Sequence, residues 1–225
     1  MPATAVLRQP PRTLIVTAAA VPFALALLAD DVRVRRQLHA ARRDPLSGLP
    51  GRADFLAYGD RLLRTGRRDR VYLMLLDVDH FKQINDTHGH AAGDRVLAVT
   101  AQRLTAWAGS HGAVGQLGGD EFAATVRIGS AHRRLRLDEL AATFAQPVDL
   151  GDGRLVDVAV SVGAAAPDMV GTTDLSGLQR AADAAMYAGK HTGQAILADR
   201  SHATVPSVNS RRIGRPGTHS LGAAT

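Results

Sequence analysis

Cysteine is absent from all 225 residues. That excludes a disulfide framework and any thiolate metal site. Lysine is nearly absent: only Lys82 and Lys190 occur among 27 basic residues, the rest being arginine. The centre of the chain also lacks excess positive charge. Residues 1–43 hold seven Arg against two Asp, and residues 199–225 hold four Arg against one Asp. Residues 44–198 hold sixteen basic and eighteen acidic residues. The net charge of +6 therefore sits on the flanks, and the centre is not a basic nucleic-acid binder. The tail arginines Arg211, Arg212 and Arg215 read as solvated charge.

Residues 13–29 lack charge altogether. As a helix they would span about 26 Å, slightly short of a hydrocarbon core of roughly 30 Å. A single transmembrane helix is the leading reading. A signal peptide, with Arg8 and Arg12 as its basic start and a cleavage site near Ala24 to Ala26, is an alternative. A soluble apolar helix used for dimer contacts is another. Arg33, Arg35, Arg36, Arg42 and Arg43 follow the run, which places its C-terminal side in the cytoplasm. Residues 1–12 form an N-terminal tail and residues 30–43 a basic helical linker, ended by the Asp44–Pro45 step. Residues 44–198 are long enough for one domain. Residues 199–225 lack periodicity and read as a disordered tail.

Two acidic clusters stand out inside the domain. The first ends the apolar run VYLMLLDVD, residues 71–79. Such a run reads as a strand buried on both faces. Asp77 and Asp79 then share one face at its end, where an acid is costly unless paired or bound to a cation. Asp79 is read as the cap of a helix starting near Phe81. The segment 80–94 shows little apolar periodicity and reads as a ligand site rather than a core element. The second cluster is GQLGGDEF, residues 115–122. Gly118 and Gly119 read as a hairpin turn with φ > 0. Asp120 and Glu121 follow where the strand resumes, and adjacent strand residues face opposite ways.

The remaining pattern predicts helices over 51–68, 91–107, 135–144 and 174–187, the last capped by Asp174 or Ser176. It predicts a hairpin over 113–127, a turn at Gly151 to Gly153, a strand over 155–165 and a short strand over 194–198. Helices alternating with hairpin strands give an α+β fold, a two-layer sandwich with a mostly antiparallel central sheet flanked by helices.

Five ordered blocks carry a family resemblance: DPLSGLP at 44–50, DVDHFKQINDTHGHAAGD at 77–94, GGDEF at 118–122, SVG at 161–163 and ADAAMYAGK at 182–190. Together they resemble the GGDEF-domain family, the diguanylate cyclases. The resemblance implies a fold like nucleotidyl cyclases and polymerase palms. It implies condensation of two GTP into cyclic di-GMP and two pyrophosphates by a homodimer. With the apolar run as anchor, it implies a single-pass protein of the bacterial inner membrane whose catalytic domain is cytoplasmic, bound to no nucleic acid.

Joining nucleoside triphosphates requires charge neutralisation at the transferred phosphoryl group, the work of divalent cations. Magnesium takes hard oxygen ligands, commonly one or two carboxylates plus substrate phosphates. Asp77 and Asp120 supply carboxylates from different elements; the resemblance adds the Val78 carbonyl and two Mg²⁺ ions per site. Asp120, Glu121 and Lys190 are the implied catalytic residues. Phe81, Lys82, Asn85, His90, Asp94, Gly118, Gly119 and Lys190 are the implied substrate contacts. Asn85 and Asp94 match the guanine readers: an amide donates and accepts, and a carboxylate accepts from N1–H and the 2-amino group. Lysine's compact charge suits phosphate oxygens at Lys82 and Lys190.

Three departures matter. Gln116 and Gln194 stand where the family has arginines, and loss of such a cation costs about 1–3 kcal/mol of binding. Gly109 and Gly112 stand where an Arg-x-x-Asp product site would be, so no product feedback through it is expected. The alternative to an active cyclase is a degenerate domain that binds GTP or a protein partner as a signalling module.

Overall fold

A computed structural model describes residues 43–65, 70–190, 192 and 194–204. In chain order these form α1 (Arg52–Arg64), β1 (Val71–Val78), α2 (Phe81–His88), α3 (His90–Ala108), β2 (Ala113–Gln116), β3 (Glu121–Arg127) and α4 (Arg133–Phe144). There follow β4 (Val148–Asp149), β5 (Leu155–Val156), β6 (Val160–Ala165), α5 (Pro167–Val170), α6 (Leu175–Ala188), β7 (Ala195–Leu197) and α7 (Arg200–Ala203).

β1 is buried at every position, as its unbroken apolar run demands. It is the middle strand of a five-stranded sheet ordered β2-β3-β1-β6-β7. Every pairing is antiparallel except β6 with β7. Alternate β1 side chains serve two cores. Met74, Leu76 and Val78 pack with Val96 and Leu104 of α3 and Leu137 and Leu140 of α4. Leu73 and Leu75 pack with Phe55 and Leu63 of α1 and Leu178 and Ala182 of α6. The α+β architecture with a mostly antiparallel sheet holds, and helices lie on both faces, so the sheet is the middle layer.

α6 matters most for the site because Lys190 follows it. Its capping is local: Asp174 accepts from the Gly177 N–H at 2.9 Å. Its seating depends on Gly163 in β6. A Cβ there would lie 2.0 Å from the Ala182 carbonyl oxygen and 2.4 Å from the Met186 nitrogen, so only glycine lets helix and strand approach this closely.

Several expectations need correction. The segment 80–94, read as a ligand site rather than a core element, is mostly helical: α2 is separated at Gly89 (φ 85°) from α3, which covers the helix expected over 91–107. α2 buries only Ile84, so it has no apolar stripe to betray it. Gly118 and Gly119 are absent from the positive-φ residues, so the β2–β3 turn does not need their left-handed freedom. The predicted strand over 155–165 is two: β5 folds back on β4 through Gly151 (φ 90°) and Gly153 (φ 84°), and β6 joins the main sheet. The tail does not begin as disorder: Asp199 caps α7, accepting from the Ser201 N–H at 2.9 Å. The predicted anchor at 13–29 and the rest of the two tails lie outside the described residues. Among the described residues no helix is long and apolar enough to cross a membrane.

Candidate functional site

The acids of β1 end inside the protein. Asp77 is 2% exposed and Asp79 3%. Burial of this kind demands partners, and both have them. Lys190 Nζ donates to Asp77 Oδ1 at 2.7 Å and lies 3.8 Å from Asp79 Oδ1. Ser161 Oγ lies 2.8 Å and 2.9 Å from the two Asp79 oxygens. Asp79 is therefore not the helix cap expected of it. α2 starts instead from His80 in the left-handed region (φ 56°, ψ 26°), with no side-chain cap. That conformation is uncommon for a residue with a Cβ and turns the chain sharply off the strand.

The neighbouring hairpin delivers its acids to the same end of the sheet. Glu121 stands across from Asp77 in the β1–β3 register, so their side chains leave one face. Asp120 lies in the turn, and its carbonyl accepts the Val78 N–H at 3.1 Å. The Leu117 N–H closes the turn onto the Glu121 carbonyl at 2.8 Å. A Cβ on Gly118 would meet Glu121 Oε2 at 3.3 Å, and one on Gly119 would meet nothing within 4 Å. The pair keeps this approach bare, which is what a ligand riding on backbone needs.

α2 and α3 build the adjoining wall. A Cβ on Gly93 would lie 1.9 Å from Asn85 Oδ1 and 3.2 Å from Phe81 Cζ. Asn85 and Phe81 thus fold over a position where any Cβ would displace Asn85, and Asp94 is the next residue of α3. Lys82, His90 and Asp94 are exposed on these helices. That Gly93 seats Asn85 could not be read from the sequence, because the contact exists only once two helices meet. Ser161 stood in a recognised block without a role, and the structure supplies one.

The donor set fits magnesium in part. Among the described residues no three acidic or histidine side chains form an all-protein cage. Asp77 and Glu121 from adjacent strands, Asp120 in the turn that bonds Val78, and open space at Gly119 suit an ion that completes its shell with phosphate oxygens. The 2.7 Å ammonium contact on Asp77 shows that this end of the sheet calls for a cation.

The two arginine departures fall differently. Gln194 is exposed, its backbone N–H bonded to Thr192 Oγ1 at 3.2 Å. The Gln116 side chain, expected to represent a cation lost from the triphosphate, is engaged within the protein instead. Its Nε2 donates to the Gly119 carbonyl at 2.8 Å and its Oε1 accepts from Ser47 Oγ at 2.6 Å.

A family model described as diguanylate cyclase, GGDEF domain, matches residues 41–195. An uncharacterized 19.3 kDa protein of Streptomyces ambofaciens is 45% identical over 155 residues, 69% of this chain and 81% of that one. The diguanylate cyclase TpbB of Pseudomonas aeruginosa is 38% identical over 157 residues, 68% of this chain and 36% of that one. The diguanylate cyclase DgcN of Escherichia coli is 37% identical over 157 residues, 68% of this chain and 38% of that one. The chain thus spans under two fifths of the length of these two named cyclases. Among solved structures, the isolated GGDEF domain of TpbB aligns with a TM-score of 0.65 at 35% identity, covering 71% of this chain and 96% of that one. The coiled coil and GGDEF domain of DgcB from Caulobacter crescentus, in complex with c-di-GMP, aligns at 0.66 with 26% identity, covering 83% and 100%.

Proposed function

The chain belongs to the GGDEF-domain family, and from that premise we propose that it is a diguanylate cyclase, condensing two GTP into cyclic di-GMP and two pyrophosphates. The observation that carries this is the convergence of Asp77, Asp120, Glu121 and Lys190 at one end of the sheet. These residues come from β1, the β2–β3 hairpin and the end of α6. A purely structural domain has no need to collect three acids, one of them buried, and a lysine there.

Each part of the wall has work to do. Asn85, held over Gly93, offers a donor and an acceptor to guanine, and Asp94 accepts from its N1–H and 2-amino group. The bare backbone at Gly118 and Gly119 admits the nucleotide. Lys190 meets the phosphates as a point charge. Asp77 and Asp120, with the Val78 carbonyl, would hold Mg²⁺. When bound, that metal neutralises charge on the transferred phosphoryl group and the leaving pyrophosphate. One domain holds one GTP, so two must face each other for the 3′-hydroxyl of each nucleotide to meet the α-phosphate of the other. Residues 13–29 would anchor the chain in the inner membrane with this domain on the cytoplasmic side.

The test is the full-length chain with GTP and Mg²⁺, with product identified by mass spectrometry and assembly by sedimentation. Cyclic di-GMP from a dimer is the expected result. A dimer that binds GTP and yields none would establish the degenerate signalling module instead, for which exposed Gln194 is the motive. Recovery of the chain in the soluble fraction of lysed cells would refute the anchor without touching the chemistry.

A further inference from the structure

The turn carrying Asp120 is tied to the loop that opens the domain. Ser47 and Gln116 are 69 positions apart, yet Ser47 Oγ donates to Gln116 Oε1 at 2.6 Å. On the far side, Gln116 Nε2 donates to the Gly119 carbonyl at 2.8 Å. On the near side, Asp44 Oδ1 accepts the N–H groups of Leu46 and Ser47 at 3.0 Å and 2.7 Å and lies 3.0 Å from Ser47 Oγ. The backbone follows the same route: the Gln116 N–H bonds the Pro50 carbonyl at 3.2 Å, and Gly51 bridges to Gln116.

Proton accounting fixes the direction of this chain. A carbonyl only accepts, so the Gln116 amide must present its NH₂ to Gly119. Its oxygen must then face Ser47, and the single hydroxyl proton of Ser47 must point at it. Asp44 is left to hold the loop mainly through backbone N–H groups. Each group therefore dictates the orientation of the next. At the end of the chain is a turn of two glycines, backbone that is otherwise expensive to hold in one conformation.

We infer that Gln116 is a positioning residue: through it the 44–50 loop sets the peptide between Gly119 and Asp120, and so the direction from which the Asp120 carboxylate enters the site. The inference rests on the cyclase reading for its effect on rate, but not for its effect on the turn. The side chain touches no reacting atom and acts only through Gly119. The amide at this position is the donor to the Gly119 carbonyl.

The experiment is a double-mutant cycle of Ser47→Ala and Gln116→Leu, with Ser47→Thr as the conservative variant. Steady-state kinetics and the Mg²⁺ dependence of rate are measured, and hydrogen exchange is followed across residues 117–121. Each single variant should lower kcat about tenfold, as for one lost oriented hydrogen bond, with KM for GTP within about twofold. The Mg²⁺ concentration for half-maximal rate should rise several-fold. The double variant should be no worse than Gln116→Leu, and Ser47→Thr should match the parent. Exchange across the turn should quicken in Ser47→Ala although the substitution lies in another loop. Independent, multiplying losses, or a Ser47→Ala variant identical to the parent, would overturn the relay. A parent with no activity would sink the cyclase reading alone. Exchange would then still decide the relay, unchanged protection in Ser47→Ala counting against it.

Discussion

The Lys190 ammonium donates to the Asp77 carboxylate at 2.7 Å across 113 positions of sequence, and its side chain is 23% exposed where that of Asp77 is 3%. The acid is locked in the protein, while the lysine still has access to solvent. Breaking a buried pair by removing one partner leaves an uncompensated charge, worth about 3–5 kcal/mol when both are fully buried. With Lys190 partly exposed, Lys190→Met should cost about 1–3 kcal/mol in denaturant unfolding. A divalent ion is the other means of neutralising Asp77. Added Mg²⁺ should therefore raise the unfolding midpoint of Lys190→Met more than that of the parent. Equal stability and equal indifference to Mg²⁺ would mean the pair contributes nothing. Cyclase activity of the variant should fall at least about a hundredfold, a loss of roughly 2.7 kcal/mol of transition-state stabilisation.

Gly93 gives a prediction that separates binding from folding. In a helix interior, Gly→Ala ordinarily gains about 0.5–1 kcal/mol. Here the added methyl would fall 1.9 Å from Asn85 Oδ1. Asn85 must move, while the helix itself gains propensity. Gly93→Ala should retain its unfolding midpoint within a few degrees, yet its KM for GTP should rise about tenfold or more. Selectivity over ATP should narrow with it. Calorimetric titration with GTP would measure this, and unaltered affinity would remove Asn85 from the guanine pocket.

The product-feedback expectation now has a steric basis. Gly109 has φ 65°, and a Cβ on Gly112 would stand 2.7 Å from Val126 Cγ1 and 3.0 Å from the Ala108 carbonyl. Neither position accepts a larger residue without rearrangement. Initial rates should be unchanged by added cyclic di-GMP at concentrations well above those of the enzyme. Inhibition that is non-competitive with GTP would show that another surface binds product.

How much of this was legible beforehand depended on the range of the contact involved. β1 declared itself through six consecutive apolar residues at 71–76, and a buried Asp77 followed from reading the run to its end. The Asp174 cap and the Gly151–Gly153 turn are local chemistry and were found where expected. α2 was anticipated only as a helix starting near Phe81, because one buried residue in eight leaves no period to define its extent. Asp79 was misassigned because the local alternative, a helix cap, was visible, whereas Ser161 is 82 positions away. The same applies to the Gln116 contacts, which are invisible until Ser47, 69 positions away, is placed beside it.

Asp174 supplies a pH-dependent test of the helix that delivers Lys190. Hydrogen bonds from the Ser176 hydroxyl and from the Gly177 N–H hold its carboxyl below the ordinary aspartate value. A depressed folded value means the stabilisation is fully present above the unfolded pKa and is lost as pH falls through the folded one. Asp174→Ala should therefore cost about 1 kcal/mol at neutral pH, the usual worth of an N-cap. The gap from the parent should close progressively below about pH 4. A gap that persists undiminished in acid would mean that shape, not charge, holds the cap.

The two tip acids should prove unequal. Glu121 belongs to β3 and shares a face with Asp77, whereas Asp120 sits in the turn with only its carbonyl fixed, by Val78. Asp120 is half-buried in a turn and outside the hydrophobic core, so Asp120→Ala should unfold within about 1 kcal/mol of the parent, as other substitutions outside the core do. If its carboxylate holds magnesium against the triphosphate, product should vanish and high Mg²⁺ should not restore it. Glu121→Gln keeps the shape opposite Asp77 while removing a charge, so it should leave a measurable residue of activity. An Asp120→Ala enzyme that still turns over beside an inert Glu121→Gln would exchange the two assignments, and Glu121 would then be the acid that joins Asp77 in holding the ion.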